Sequence, residues 1–572
     1  AQGGKRQTKG GIEEMRRAPK PARVGAAAVL ANAIAVAAHG GTTAGAAAKP
    51  NVIEILTDDQ TLNELDTMPQ TGALLRAKGV TFSRFYDSYP LCCPSRATLL
   101  TGEYMHNHLV RGNVPTFGGH HRFASLGTEA KALPTWLKGA GYNTAHVGKY
   151  LNGYGDDGNP QVPAGWDEWY GQISDYDPAE QGGKLYYDYD LLEKGLIGPA
   201  TLQHYGTAPA DYQGSVLQAK ALSAIGDLSA QPDPFYLEFA PSAPHYPFTP
   251  PPNYAGTMAS APLAPLAGLN EKNVNDKPAF LRALAPHRLN ANTLATLAAQ
   301  RRMRLEQLRG VDDTVAAIIN KLAAEGRLSN TYFIFTSDNG YFFGEHRIVA
   351  GKYLPYEPAS HVPFVIAGPG LPAGATSSAL SANIDVAPTI AALTGASPPP
   401  GFDVDGRSLL PFAANPAAGT DRPVLLEADV GPGSGTLSAP QGLVRHRPLM
   451  EKLGLAGKAG VTNLEQEPGG QRTAYDGDVA PAYRAIRTNR YLFVIYSTGA
   501  SELYDMAKDP AQLDSLIGNR RYNKVRRKLL RRLIVLSGCA GASCNASYGA
   551  DPKPMPKKKQ KKAKKKGARP KK

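Results

Sequence analysis

Two short acidic runs are the first residues with a chemistry of their own. Asp58-Asp59 follows the apolar stretch Val52 to Leu56, and Asp338-Asn339 follows Tyr332 to Phe335. A hard divalent cation wants several oxygen ligands, and the ends of buried strands present such ligands to a shared crevice. Either pair alone has the ordinary reading of a loop starter or helix cap. The two together point to one cation site. Cys92 and Cys93 are a second feature. Adjacent cysteines rarely bond to each other because the geometry is strained. In Leu91-Cys-Cys-Pro-Ser-Arg-Ala-Thr-Leu-Leu-Thr-Gly102 they need another explanation, the plain one being two buried structural thiols ahead of a helix.

These residues need elements to position them. Val52–Leu56, Thr144–Val147, Phe235–Phe239, Tyr332–Phe335 and Val362–Ile366 are apolar enough to be buried strands of a parallel sheet. Between them, Leu305–Leu322 places Leu308, Val311, Val315, Ile318, Ile319 and Leu322 at helical spacing and ends before Gly326. Strands alternating with helices predict a doubly wound α/β/α fold. Residues 243–290 are Pro-rich and predicted irregular. From about residue 420 a smaller α+β domain is expected, with a hairpin at Tyr483–Ile486 and Tyr491–Tyr496.

The run around Cys92 resembles the Cys-x-Pro-Ser-Arg signature of type I sulfatases, with Thr101-Gly102 downstream as in that family. The resemblance extends from about Asn51 to Asp509. It includes Asn51-Val-Ile-Glu-Ile-Leu-Thr-Asp-Asp-Gln60, Gly148-Lys149-Tyr150-Leu151-Asn152, Ala243-Pro244-His245-Tyr246-Pro247, Thr336-Ser-Asp-Asn-Gly340 and Gly351-Lys352. The helix through Val311, Asp385-Val-Ala-Pro-Thr389 and Glu502-Leu503-Tyr504-Asp505 also look like the family. Cys-Cys-Pro-Ser-Arg, Met105-His-Asn-His108 and Gly-Lys-Tyr-Leu-Asn look most like the N-acetylglucosamine-6-sulfatases and the extracellular heparan-6-sulfatases. The fold implied is an alkaline-phosphatase-like α/β/α sandwich around a mostly parallel sheet, with a smaller C-terminal α+β domain.

The resemblance further implies that a formylglycine-generating enzyme oxidises Cys92 to formylglycine, whose aldehyde is then hydrated. One hydroxyl attacks sulfur and expels the alcohol; deprotonation of the second releases sulfate, so no water has to attack the sulfur. Asp58, Asp59, Asp338 and Asn339 resemble the ligands of one calcium ion that also touches residue 92. Arg96 would hold the diol, Lys149 and Lys352 would clamp the sulfate, and His245 would protonate the leaving oxygen. Taken singly, a Lys or a His is normally solvated or structurally satisfied, so these roles rest on the motifs around them. One departure stands out: Leu151 occupies the position where many sulfatases have a His to take the proton in the elimination step. His106, His108 and His346 are candidates to fill that role. Glu54, inside the first strand, has no role in this reading.

Composition fits a globular protein: 572 residues, 42% hydrophobic and 20% charged, which excludes disorder throughout. The net charge of +14 belongs to the ends. Residues 1–49 carry 8 basic and 2 acidic residues and residues 551–572 carry 12 and 1, which leaves 43 basic and 46 acidic in residues 50–550. A nucleic-acid partner is therefore not expected. Val24–Ala38 is short, apolar and preceded by basic residues, the pattern of a secretory signal with Met15 as a plausible initiator. Cys539 and Cys544 are spaced to close a small disulfide loop in an exported protein. The expected organisation is a basic leader at 1–49, a catalytic domain at 50–419, the smaller domain at 420–550 and a disordered Lys-rich tail at 551–572. The tail is a candidate for contact with anionic polymers.

The expectation is an exported, calcium-dependent sulfatase acting on a sulfated small molecule or carbohydrate. Two rivals remain open: a phosphate or phosphonate ester hydrolase built on the same superfamily's fold, and a non-catalytic binder of anionic polysaccharide acting through the tail.

Overall fold

A run without polar alternation has to be covered on both faces, and all seven residues of Asn51–Thr57 (β1) are buried. In the computed structural model, residues 48–174, 184–284, 287–429, 447–455, 461–463 and 479–556 are described. The further strands of the main sheet are Gly79–Phe82 (β2), Asn143–Gly148 (β3), Glu168–Gln172 (β4), Tyr189–Lys194 (β5) and Thr201–Tyr205 (β6). Phe235–Ala240 (β7), Thr331–Ser337 (β8), Phe364–Ala367 (β9) and Ala375–Ser377 (β10) complete it. Their spatial order is β10-β2-β9-β8-β1-β7-β3-β4-β5-β6. From β8 to β4 the strands run parallel.

One expectation is corrected. The strand expected at Val362–Ile366 begins at Phe364, after Pro363, and pairs antiparallel with both β8 and β2. A parallel neighbour would need a crossover along the whole sheet. The chain between β8 and β9 holds only the short helix Glu357–Ser360 and returns at the end where it left.

Side chains alternate along β1, so its two faces feed two cores. Ile53 and Ile55 pack with Leu237, Phe239, Leu308, Val315, Ile318 and Leu322. The last four belong to helix Ala291–Ala324, and Gln213–Ser229 lies on the same face. Val52 and Leu56 pack with Ala97 of helix Cys92–Thr101 (α1) and with Val386 and Ile390 of helix Val386–Thr394. The result is the expected α/β/α sandwich. Helix Ala291–Ala324 starts well before Leu305, because the Asn290 side chain caps it by accepting from Thr293 N and its first turns are too exposed to show apolar periodicity.

The smaller sheet is antiparallel: Val424–Ala428 (β11), Tyr483–Arg487 (β12), Tyr491–Tyr496 (β13) and Ser501–Asp505 (β14), in that order. Helix Asn523–Leu536 (α2) seals it through Val525, Leu529, Leu533 and Leu536. Just beyond, Cys539 and Cys544 form a disulfide, whereas Cys92 and Cys93 are buried outside any disulfide. The signal-like segment 24–38 and residues 557–572 lie outside the described residues. Among those described, no helix is long and apolar enough to cross a membrane.

Glu54 now has an account. It faces Glu238 across the β1–β7 pairing, and Glu238 faces His146 across β7–β3. Tyr236 Oη donates to Glu54 Oε2 at 2.6 Å, and His146 Nδ1 lies 2.7 Å from Glu238 Oε2. Burial, with the charge of Glu238, pushes Glu54 up to about 8 from an ordinary 4.5, although the Tyr236 hydrogen bond opposes the rise. Between those pH values the folded chain keeps a proton that the unfolded chain has lost, so this group's contribution to stability falls as pH rises. Glu54→Gln keeps an acceptor for Tyr236 and cannot ionise. Urea midpoints followed from pH 5 to pH 9 should decline less for the variant than for the parent.

Candidate active site

β1 and β8 are in register from Asn51 opposite Thr331 to Thr57 opposite Ser337, so Asp58-Asp59 and Asp338-Asn339 leave the sheet side by side. Asp338 N donates to Thr57 O at 3.1 Å and Asp59 N to Asp338 Oδ1 at 3.0 Å. Asp59 adopts a φ of +68°, a left-handed conformation that Asp tolerates better than most residues. Arg304 secures it: Nη2 donates to Asp59 O at 2.6 Å, while Nε and Nη2 grip Glu64 at 2.9 and 2.8 Å.

Facing these carboxylates, α1 starts at Cys92 itself. Pro94 falls in the first turn, where a missing N–H costs nothing. Asn113 Oδ1 accepts from Cys93 N at 2.9 Å, and Gly102, at φ +70°, closes the far end by donating to Thr98 O. The helix N-terminus sets a partial positive charge at Cys92. Arg96, one turn on, donates from Nε to Asp338 Oδ2 and from Nη1 to Lys149 O, both at 2.8 Å, and its Nη2 is 3.7 Å from Asp58 Oδ2.

The remaining basic groups come from the ends of β3 and β7 and from the loop after β8. At Gly148 a Cβ would stand 2.1 Å from Ala240 O, so glycine is required for β3 to close on β7 and for Lys149 N to reach Ala240 O at 2.8 Å. Lys149 Nζ then meets Asp58 Oδ2 at 2.5 Å. Lys352 Nζ lies 2.7 Å from Asp59 Oδ1 and 3.0 Å from Cys92 Sγ. Its loop is suspended through Tyr353, whose N–H donates to Pro90 O at 2.7 Å and whose carbonyl accepts from Tyr483 Oη at 2.6 Å. His245 Nδ1 is 2.5 Å from Tyr246 O and Nε2 is 3.6 Å from Asp59 Oδ2. A carbonyl can only accept, so Nδ1 carries the proton in that contact.

One ligand atom from each of Asp58, Asp59, Cys92 and His245 falls within 4.8 Å of the others. Asp59 Oδ2 and Asn339 Oδ1 are buried oxygens without a hydrogen-bond partner, a costly state that a cation would relieve. Beside Cys92 and His245, the side-chain oxygens of Asp58, Asp59, Asp338 and Asn339 are the donors that a hard cation prefers, and these four residues would hold it. Burial would raise Asp58, but Lys149, His245, Arg96 and Lys352 together outweigh it and hold the carboxyl well below its usual range. Asp338 is pushed up to about 6 by burial and the neighbouring Asp58, against Arg96 and Lys149. Burial pushes the Cys92 thiol up to about 11 despite two lysines, so an unmodified thiol keeps its proton near neutrality and is a poor nucleophile.

Every residue expected at the site is thus brought to it: Asp58, Asp59, Cys92, Arg96, Lys149, His245, Asp338, Asn339 and Lys352. The three histidines considered for the position of Leu151 are committed elsewhere. His106 lies 2.8 Å from both Glu427 Oε1 and Cys539 O, His108 3.0 Å from Thr98 Oγ1, and His346 2.6 Å from Glu271 Oε2. Leu151 itself is buried in the core behind α1. Sequence reasoning missed Arg304, Asn113 and Asn383. Asn383 Nδ2 donates to Asp87 Oδ1 at 2.5 Å and Ser95 Oγ at 3.1 Å and so ties the signature to a turn almost 300 residues away in sequence. No local spacing announces such a contact.

The geometry has known counterparts. The sulfatase family model matches residues 50–396. An arylsulfatase of Chlamydomonas reinhardtii is 31% identical over 558 residues, covering 91% of this chain and 79% of that protein. The N-acetylglucosamine-6-sulfatase of Homo sapiens is 30% identical over 521 residues, covering 88% and 87%. A solved structure described as a complex with its substrate D-glucosamine-2-N,6-O-disulfate superposes with a TM-score of 0.63 at 22% identity, over 85% of this chain and 97% of that one, which shows the shared fold. With a family match over more than half of its length and relatives this similar along most of it, the chain belongs to the sulfatase family and is a sulfuric ester hydrolase.

Proposed function

We propose that the protein is an exported sulfatase that removes sulfate from a sulfated carbohydrate, the 6-sulfate of an N-acetylglucosamine unit being the ester its relatives' names favour. Residue 92 acts as formylglycine and calcium is the cation. The observation that carries this reading is the placement of Cys92 at the start of α1, with Lys352 Nζ at 3.0 Å and Asp58 Oδ1 at 3.6 Å. Bound calcium would supply a fixed positive charge against sulfate oxygens. The chain's own residues do the rest. Arg96 locks Asp338 and the Lys149 carbonyl, which fixes the cluster before substrate arrives. The Lys149 and Lys352 ammonium groups flank residue 92 where sulfate oxygens would lie. His245, its Nδ1–H held by Tyr246 O, would give a proton to the departing alcohol from Nε2 as the doubly protonated imidazolium, a form that Asp59 Oδ2 at 3.6 Å favours. The Cys539–Cys544 disulfide suits an oxidising compartment and supports export. The division into a catalytic part at 50–419 and a smaller one at 420–550 is retained as part of this reading.

Two measurements test it. An aldehyde-directed probe followed by peptide mass spectrometry should label residue 92 of active protein, and Cys92→Ala should lose the label and at least roughly a thousandfold of turnover on aryl sulfate and glucosamine 6-sulfate. A fully thiol population with undiminished activity, or a preference for phosphate esters over sulfate esters, overturns the reading. For the cation the readout is melting. Calcium at about a hundred times its Kd should stabilise the parent by roughly 2.7 kcal/mol, and Asp59→Asn and Asn339→Ala should each cut that gain by more than half.

A further inference from the structure

α2 carries a charge pattern that the catalytic site does not use. Between Asp514 and Asp551 there are eight Lys and Arg and no Asp or Glu, whereas residues 50–514 hold 35 basic and 46 acidic residues. The apolar side of α2 is buried, and Arg532 beside it lies 3.5 Å from Asp551. The opposite side is different. Arg520, in the turn before the helix, and Lys524, Arg527, Lys528 and Arg531 are all exposed and recur at three- and four-residue spacing along one face. None of the five has an ion-pair partner among the described residues.

This arrangement works against the isolated helix. Arg520 and Lys524, Lys524 and Lys528, and Arg527 and Arg531 are like charges four residues apart, which repel. The first turn contains no acidic residue to complement the positive end of the helix dipole, and the cations crowd that end. An anion laid along the face would reverse both penalties. The stripe is linear, about 10 Å from Lys524 to Arg531 at 1.5 Å per residue, and its side chains lie exposed among the described residues. It therefore matches a polymer with repeated charges better than a single small ion.

We infer that this face of α2 binds sulfated polysaccharide and holds the enzyme on a polymeric substrate. The choice among polyanions rests on the proposed carbohydrate sulfatase activity. The test uses the full chain, with its Lys-rich C-terminus, and a variant carrying Arg520→Gln, Lys524→Gln, Arg527→Gln, Lys528→Gln and Arg531→Gln. Binding is measured against heparin at several salt concentrations, with desulfated heparin, double-stranded DNA and phosphatidylserine vesicles as comparisons. The variant should lose about tenfold or more in heparin affinity near physiological salt, with a flatter salt dependence. It should keep the parent's turnover of a small aryl sulfate and melt no lower than the parent without heparin. Arg527→Gln with Lys528→Gln alone should show an intermediate loss. Unchanged heparin affinity in the five-residue variant overturns the inference, as does equal binding of DNA or vesicles through the stripe. If the parent hydrolyses no sulfate ester while the variant still loses heparin binding, the catalytic proposal fails and the stripe stands.

Discussion

Adjacent buried carboxylates repel each other and resist leaving water, so they persist only where cations are brought against them. Asp58 and Asp59 are wholly buried at the end of β1, and the rest of the architecture follows from that constraint. The counter-charges arrive from separate parts of the chain: Arg96 from α1, Lys149 after β3, His245 after β7 and Lys352 after β8. Neighbouring parallel strands end at the same edge of a sheet, which is how a doubly wound fold gathers residues nearly 300 positions apart.

The parts of this design that depend on local chemistry could be seen in the sequence. The five apolar strands, the helix through Val311 and the hairpin before Tyr496 follow from periodicity, and the signature around Cys92 follows from residue types at fixed spacing. The polarity of β9 was not visible, because it depends on where the chain returns and not on what β9 contains. The same holds for the residues that support the site. Arg304 and Asn383 act through contacts across the fold, and an isolated Arg in a helix or Asn before an acidic residue has no pattern to set it apart. Glu54 looked anomalous in sequence for a sound reason: it is a buried acid, tolerable only beside Tyr236 and in a largely protonated state.

The histidines illustrate the limits of motif proximity. His106 and His108 follow the signature closely in sequence, yet the turn after Gly102 directs one to Glu427 of β11 and folds the other back on Thr98. Both serve packing between the signature helix and its surroundings. Proximity along the chain therefore gave less information than proximity to a strand end, the feature that brings Asp58, Asp59, Asp338 and Asn339 side by side.

The suspension of the Lys352 loop has a consequence for modularity. Tyr353 is tied on one side to Pro90, two residues before the signature cysteine, and on the other to Tyr483 of the smaller sheet. The Lys352 ammonium group beside Cys92 is thus registered by a hydroxyl that belongs to the C-terminal third of the molecule. This contact bridges the proposed boundary near residue 420: a fragment cut there would lose the strut that aims one of its own lysines.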